Sequence, residues 1–466
     1  MQAGCRPVRS RPGPAAAIIL ADCGVAVGKH DNCNFSSNSR SADILVALGV
    51  SLDTERIAEV GRTGSKIMSR DEDERQQARA ARPIHAMLSQ VLVAYTIEAD
   101  NVFELRMADT GNPGARLSLF AWFNALRFLV DAPATVSELE RQAIAPLEGM
   151  RARLACLERW RFVALGPRSG APSTTKREGW GSSRGIRLDS IVRLTRRGCQ
   201  AASIWPAVLD EIERRWKHRC GAALNRLRPA LLAIIDSSPK VLPMFLSRRL
   251  AERPLSTQVG SGPAAPVLLP TLLSQVLQLF AIEFDGLSET PLALCANTIR
   301  AIGNCSVPER ELPHLTGCSP ETSDFGWPLK PYVALTADDQ RGRGKVLRLT
   351  PRGLRAASSY ERLTEEIERR WVAQFGRATI GTLREALQTL LNPSPDGVCP
   401  VADALIPPPG TARAGAQVPA LGRRTMNPAA RQRMRDLVAQ TDRFVRDPAG
   451  TLPHYPLWDM NRGYGP

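Results

Sequence analysis

Between Arg151 and Arg197 the chain places twelve basic residues against three acidic ones, a net of +9. Side chains of this kind at this density neutralise phosphate, and the guanidinium fork adds bidentate geometry. The whole chain of 466 residues carries 61 Lys and Arg against 46 Asp and Glu, a formal +15, so more than half its excess charge falls in about a tenth of its length. Arg151, Arg153, Lys176, Arg177, Arg184 and Arg187 are the residues of that stretch expected to meet a polyanion. Arg341, Arg343 and Lys345 form a weaker second set, within a segment (Glu321–Gly353) of net +2. Such charge keeps nucleic acid or another polyanion among the expected partners. Aromatics, at 5%, are too few for a surface that stacks one ring on each unpaired base.

Catalytic constellations are scarce. Gly24-Val-Ala-Val-Gly-Lys29-His30 touches the phosphate-loop pattern but lacks its four-residue spacing and the Ser or Thr that would meet magnesium. No G-x-S-x-G or H-E-x-x-H occurs, and the ten cysteines form no C-x-x-C pair. His30, His218 and His314 each lie near one cysteine, but none joins a four-ligand set with zinc spacing. The reading is therefore a protein that is not an enzyme and needs no metal or other cofactor. Cys156, Cys199, Cys220 and Cys295 sit in helix-like sequence, where a cysteine reads as a small buried hydrophobe and, in the alternative, as a redox-sensing thiol.

The elements that must position the basic residues come from an internal duplication. Leu88-Ser-Gln-Val-Leu92 recurs as Leu273-Ser-Gln-Val-Leu277, and Ile97-Glu98-x-Asp100 as Ile282-Glu283-x-Asp285, both 185 residues on. Phe162-Val-Ala-Leu165 answers Tyr332-Val-Ala-Leu335 at 170. Arg193-Leu-Thr-Arg-Arg-Gly198 answers Arg348-Leu-Thr-Pro-Arg-Gly353 at 155, as Glu211-Ile-Glu-Arg-Arg-Trp216 answers Glu366-Ile-Glu-Arg-Arg-Trp371. Matches in one order with shrinking offsets mean a single unit copied once, the second copy shorter by about 15 residues in each of two places. Each copy opens on a helix with apolar residues at helical spacing (Leu88, Val91, Leu92, Tyr95; Leu273, Val276, Leu277, Phe280) and continues into a second apolar helix. In the first copy Thr135-Val-Ser-Glu138 starts a short helix, Ala145-Pro146 breaks it, and Leu147–Trp160 reads as the next: a helix-turn-helix. A short strand, a basic Gly/Ser-rich loop and a return strand then form a hairpin wing, and a long amphipathic helical pair closes the unit. In the second copy Gly326, Pro328 and Pro331 break the corresponding reading helix, which predicts that only the first copy reads bases.

This order, with the Leu-Thr-x-x-Gly turn after each wing, resembles the MarR family of winged-helix transcription regulators, and Ala337-Asp-Asp-Gln-Arg-Gly-Arg-Gly-Lys-Val-Leu-Arg-Leu-Thr-Pro-Arg-Gly353 is similar to that family's wing. The resemblance implies a mainly α fold with small β-hairpin wings, built as tandem winged helix-turn-helix domains. It also implies sequence-specific binding of duplex DNA as a repressor, released by a small-molecule effector or a redox signal. Because the segments that pair family dimers are those this chain repeats most faithfully, an intrachain pseudo-dimer is expected, with a homodimer as the alternative. The second functional reading is a ligand-sensing or protein-interaction module on winged helices that have partly lost DNA reading.

The expected layout is a low-structure extension over 1–67, a first winged-helix domain over 68–235, a linker over 236–265, a second domain over 266–391 and a tail over 392–466 holding one amphipathic helix. Met68 is read as the native initiator. No apolar run approaches the length of a membrane span, and Asp22 interrupts the weak leader-like run Ala15–Val27, so a cytoplasmic protein is expected.

Overall fold

The computed structural model describes residues 82–144, 147–167, 186–240, 242–246, 268–318, 329–337, 345–393, 399–415 and 428–457. The first copy begins with α1 (Ile84–Asp109), which is buried on nearly every side. The apolar stripe of Leu88, Val91, Leu92 and Tyr95 is only one of its covered faces, because Met87, Val93 and Ala94 are enclosed as well. Asp100 near its end accepts a hydrogen bond from the Leu119 amide (2.7 Å), which starts α2 (Leu119–Asn124). Next come β1 (Ala134–Thr135) and α3 (Val136–Ala143), opened by a reciprocal capping box: Glu138 N donates to Thr135 Oγ1 (3.2 Å), and Thr135 N to Glu138 Oε2 (2.7 Å). Then follow α4 (Leu147–Arg159), β2 (Val163–Gly166), β3 (Ile191–Leu194) and the long α5 (Arg196–Asp236), which bends at Cys220.

The second copy repeats the order. It has α6 (Leu269–Leu287), a helical stretch of α7 (Leu292–Leu294), a π turn (Cys295–Ile299) and α8 (Arg300–Ile302), then β4 (Val307–Pro308) and α9 (Leu312–Thr316). After these come β5 (Val333–Ala337), β6 (Lys345–Leu349), α10 (Pro351–Phe375) and α11 (Arg377–Leu391). Each copy holds an antiparallel three-stranded sheet, in the order β1-β3-β2 in the first and β4-β6-β5 in the second, with Val163 opposite Leu194 and Val333 opposite Leu349. The break between α10 and α11 falls at Gly376, in the left-handed region (φ +86°), where α5 merely bends.

The repeated motifs make repeated bonds. Thr195 and Thr350 cap α5 and α10 by accepting from Gly198 N (3.1 Å) and Gly353 N (3.2 Å). Those glycines let each helix start press against the residue that leads into β2 or β5, since a Cβ would lie 2.0 Å from Phe162 O and 2.1 Å from Tyr332 O. Trp216 Nε1 donates to Glu98 (2.8 Å) and Trp371 Nε1 to Glu283 (3.0 Å), while the rings of Trp216 and Tyr95, like those of Trp371 and Phe280, lie 5.3 Å apart. Both tryptophans thus pack on the opening helix of their own copy. Contact across the copies runs through the glutamates between them: Ile84 N, at the start of α1, donates to Glu368 (2.7 Å), and Leu269 N, at the start of α6, donates to its counterpart Glu213 (2.9 Å). With α1 packed on α6 and α11 on α5, one continuous apolar core runs through both copies.

Two of the segments outside the copies are folded where they are described. The stretch read as a linker from 236 is folded where it is described, with Leu242, Phe245 and Leu246 buried, because Leu and Phe there outweigh the prolines that suggested a spacer. The stretch from 392 contributes α12 (Ala402–Leu405), α13 (Pro428–Arg446) and α14 (Pro448–Thr451), and Val401, Leu405, Ala412, Phe444 and Leu452 join the core. The extension over 1–67 and Met68 lie outside the described residues. No described helix is long and apolar enough to cross a membrane.

Candidate functional site

The open cleft with the clearest chemistry lies on the second copy. It encloses about 230 Å³ between the turn after α6 and the first half of α10, and its walls include Ser288, Thr290, Arg352, Arg355, Ser359 and Arg362. The four α10 residues are spaced i, i+3, i+7 and i+10, which puts them on one helix face. Ala356 and Leu363, both buried, form the floor. Thr350 and Gly353 fix the start of α10, and the Arg352 guanidinium rests over the Tyr332 ring at 4.9 Å, so its direction is set before any ligand arrives. The opposite wall is braced by Thr290 N donating to Ser288 Oγ (3.1 Å), Ser288 Oγ to Thr290 O (2.9 Å) and Leu292 N to Asp285 (2.8 Å). Burial raises the Asp285 carboxyl to about 6, against the pull of that amide. Among the described residues none of the three arginines forms an ion pair, and Glu289 is the one acid of the cleft wall. Three guanidinium groups beside three hydroxyl side chains can hold a phosphate or carboxylate.

The first copy keeps only part of this set at the matching positions, Arg352 answering to Arg197. Counting back 155 residues, Arg355, Ser359 and Arg362 become Gln200, Ile204 and Ala207. Gln200 is engaged by Asn112 (2.8 Å) and by Thr110 O (3.2 Å).

Four of the basic residues singled out from the sequence, Arg151, Arg153, Arg187 and Lys345, are among the described residues. Arg153 is a correction: it is 4% exposed, its guanidinium packs over the Phe120 ring at 4.9 Å, and burial lowers its pKa to about 10. The reason lies in its spacing, since Met150, Arg153, Leu154 and Leu157 share the buried face of α4. Arg151 is half-buried on the same helix, Arg187 is exposed and paired with Asp189 (2.9 Å), and Lys345 is exposed at the start of β6. Lys176, Arg177, Arg184, Arg341 and Arg343 lie outside the described residues, as does most of the broken helix of the second copy. Arg355 and Arg362 were missed; their helix-face spacing with Arg352 was the available signal. The buried thiols Cys220 and Cys295 are pushed up to about 11 and 12, so as protonated thiols they suit packing better than redox exchange. No group of three or more metal-ligating side chains occurs among the described residues.

Comparison with known proteins overturns the regulator reading. No protein-family profile and no solved structure matches the chain. Instead, short stretches are similar to anthranilate phosphoribosyltransferase. Identity is 55% over 53 residues with the enzyme of Rhodospirillum rubrum, covering 10% of this chain and 15% of that protein. It is 56% over 41 residues with that of Azospirillum brasilense (9% and 12%), and 56% over 46 residues with that of Methylobacterium nodulans (9% and 14%). The chain thus spans about 12–15% of the length of these relatives. The resemblance to MarR regulators, and with it the expected role as a DNA-binding transcriptional repressor or as a ligand-sensing or protein-interaction module derived from one, is withdrawn: every relative found is an anthranilate phosphoribosyltransferase. The expectation that the protein is not an enzyme stands against a short stretch, about 10% of the chain, that is similar to one.

Proposed function

We propose that the protein binds a small phosphorylated or carboxylated molecule in the cleft of the second copy, in the service of the phosphoribosyl chemistry to which a short part of its chain is similar. The observation that carries this reading is the alignment of Arg352, Arg355 and Arg362 on one face of α10 above an apolar floor. The names of the relatives supply the ligand class, since anthranilate offers a carboxylate and a phosphoribosyl group offers a phosphate. The body that presents the cleft is, in this reading, a pair of winged-helix units joined as an internal pseudo-dimer. The reciprocal Ile84–Glu368 and Leu269–Glu213 bonds support that arrangement.

Calorimetric titration of the full chain with ribose 5-phosphate and, separately, with anthranilate tests the proposal. At least one should bind, and R355A/R362A should weaken it by about tenfold to a hundredfold per arginine, the usual worth of a charge-assisted hydrogen bond. Failure of both compounds to bind, or unchanged affinity in the double variant, would overturn it.

A further inference from the structure

A third repeated element lies outside the two copies as the sequence delimited them. Leu242-Pro-Met-Phe245 follows α5, and Leu452-Pro-His-Tyr455 follows α14, 210 residues on. Both segments show the same burial: Leu and Pro buried, the third residue half-buried, the aromatic and the residue after it buried. Their seats are equivalent. The first segment lies between α2 of its own copy and α6 of the other: Phe245 stacks on Phe123 (5.3 Å, 7° between planes), Gln278 Nε2 donates to Pro243 O (3.2 Å), and Leu246 N donates to Ser274 Oγ (2.5 Å). The second lies between the π turn of its own copy and α1 of the other. There Ser89 Oγ donates to Pro453 O (2.9 Å) and Gln90 Nε2 to Leu452 O and Ala449 O (3.0 Å each), while Asn297 exchanges two bonds with the Tyr455 backbone (2.7 and 3.1 Å). Ser89 and Ser274 are counterparts in the repeated Leu-Ser-Gln-Val-Leu motif.

The connections leading to the two seats differ widely. The first segment begins six residues after α5 ends, the second 61 residues after α11 ends, with α12, α13 and α14 in the intervening chain. The connecting chain therefore does not dictate the seat; the four-residue pattern and the groove do. Main-chain carbonyls are captured by fully buried side-chain donors, and the aromatic fills an apolar recess, a division of labour that serves extended-peptide recognition elsewhere.

We propose that Leu-Pro-x-aromatic is a docking motif of this chain, and that each groove between one copy's opening helix and the other copy's second helix is a binding site for an extended peptide of that class, filled in cis. Because the two walls of each groove come from different copies, an occupied groove staples the copies together.

Two experiments on the full chain test this. Hydrogen exchange of Q90L/N297L, which removes donors but keeps bulk, should show amides over 449–457 exchanging at least about tenfold faster, with α5 and α10 unchanged. Unchanged exchange over 449–457 would overturn the proposal. In the second, Leu452→Ser with Tyr455→Ser empties the groove, and a labelled peptide of the sequence Thr451–Leu457 is added. Fluorescence anisotropy should show binding to this variant, none to the wild type, and none when the peptide is scrambled. A variant that keeps its circular dichroism yet ignores the peptide, or equal binding by the wild type, would refute a sequence-selective groove. Should the double serine variant not fold, the exchange result decides alone.

Discussion

The two copies share a skeleton of bonds and differ at the surfaces those bonds hold in place. Asp100 and Asp285 start the second helix of each copy, Thr195 and Thr350 cap the long helices, and Glu98 and Glu283 receive the tryptophan indoles. Yet Arg355 and Arg362 of the second copy face a cleft where the first has Gln200, tied to Asn112, and Ala207. The peptide grooves diverge as well. The first copy's segment brings Met244 to its groove, whereas the second brings His454 beside His85, whose counterpart in α6 is Pro270. Duplication thus preserved what holds a helix end or a helix pair, and left free what faces solvent or lines a recess.

The largest effect should come from the shared skeleton. Gly198→Ala and Gly353→Ala each force a methyl against a backbone carbonyl at about 2 Å, which neither helix start can escape without moving the residue that leads into β2 or β5. Each should cost about 3 kcal/mol or more by urea denaturation. If the two costs differ by more than about 1 kcal/mol, the equivalence of the two turns is broken.

How much of this was legible follows from what each signal depended on. The duplication could be read because residues that make internal bonds were kept at fixed offsets, as with Trp216 and Trp371. The docking segments could not, since four residues at a new offset of 210 sit in Pro-rich stretches that look like spacers. Arg153 was misread because charge was counted without helix phase; Met150, Leu154 and Leu157 already placed it on the inward face. The cleft is legible only along α10, where Arg352, at the end of the Glu321–Gly353 segment, shares a face with Arg355 and Arg362. No spacing motif pointed to anthranilate phosphoribosyltransferase, because that likeness lies in residue identity over a few dozen positions.

A second test probes the histidine side alone. His85 is fully buried, bonded to Tyr360 Oη (3.0 Å) and faced by Arg300, with His454 and Arg82 nearby; burial first, then Arg300, lowers its pKa to about 3. A histidine that stays neutral in the fold but takes a proton when unfolded, near 6.5, stabilises fully above that pH and loses its contribution as pH falls. Between pH 8 and pH 5 the loss should be about 2 kcal/mol. Asp100, raised to about 7 by burial, works in the opposite sense: its contribution is fully present below the unfolded carboxyl pKa and lost as pH rises through 7. The wild-type curve therefore mixes these with the other shifted buried groups, Asp285 and His454 among them, and the difference between wild type and H85Q isolates His85. Parallel curves for the two proteins would remove the proposed asymmetry between the grooves.

The smallest effect separates the two indoles. Glu98 is 5% exposed and receives Arg219 (3.0 Å) and Arg215 (3.5 Å) besides Trp216, whereas Glu283 is half-buried and the position matching Arg219 is Gln374. Trp216→Phe therefore removes one donor from a buried carboxylate that keeps two others, and Trp371→Phe removes the indole from one that water can reach. Loss of a hydrogen bond to a buried charge costs about 1.5–3 kcal/mol, and loss of one that water can replace costs about 1. Urea denaturation of the two variants should rank W216F as the more destabilised. The reverse order would mean that Arg215 and Arg219 already satisfy Glu98 without the indole, and that Arg219, replaced by Gln374 in the second copy, is what sets the first copy apart.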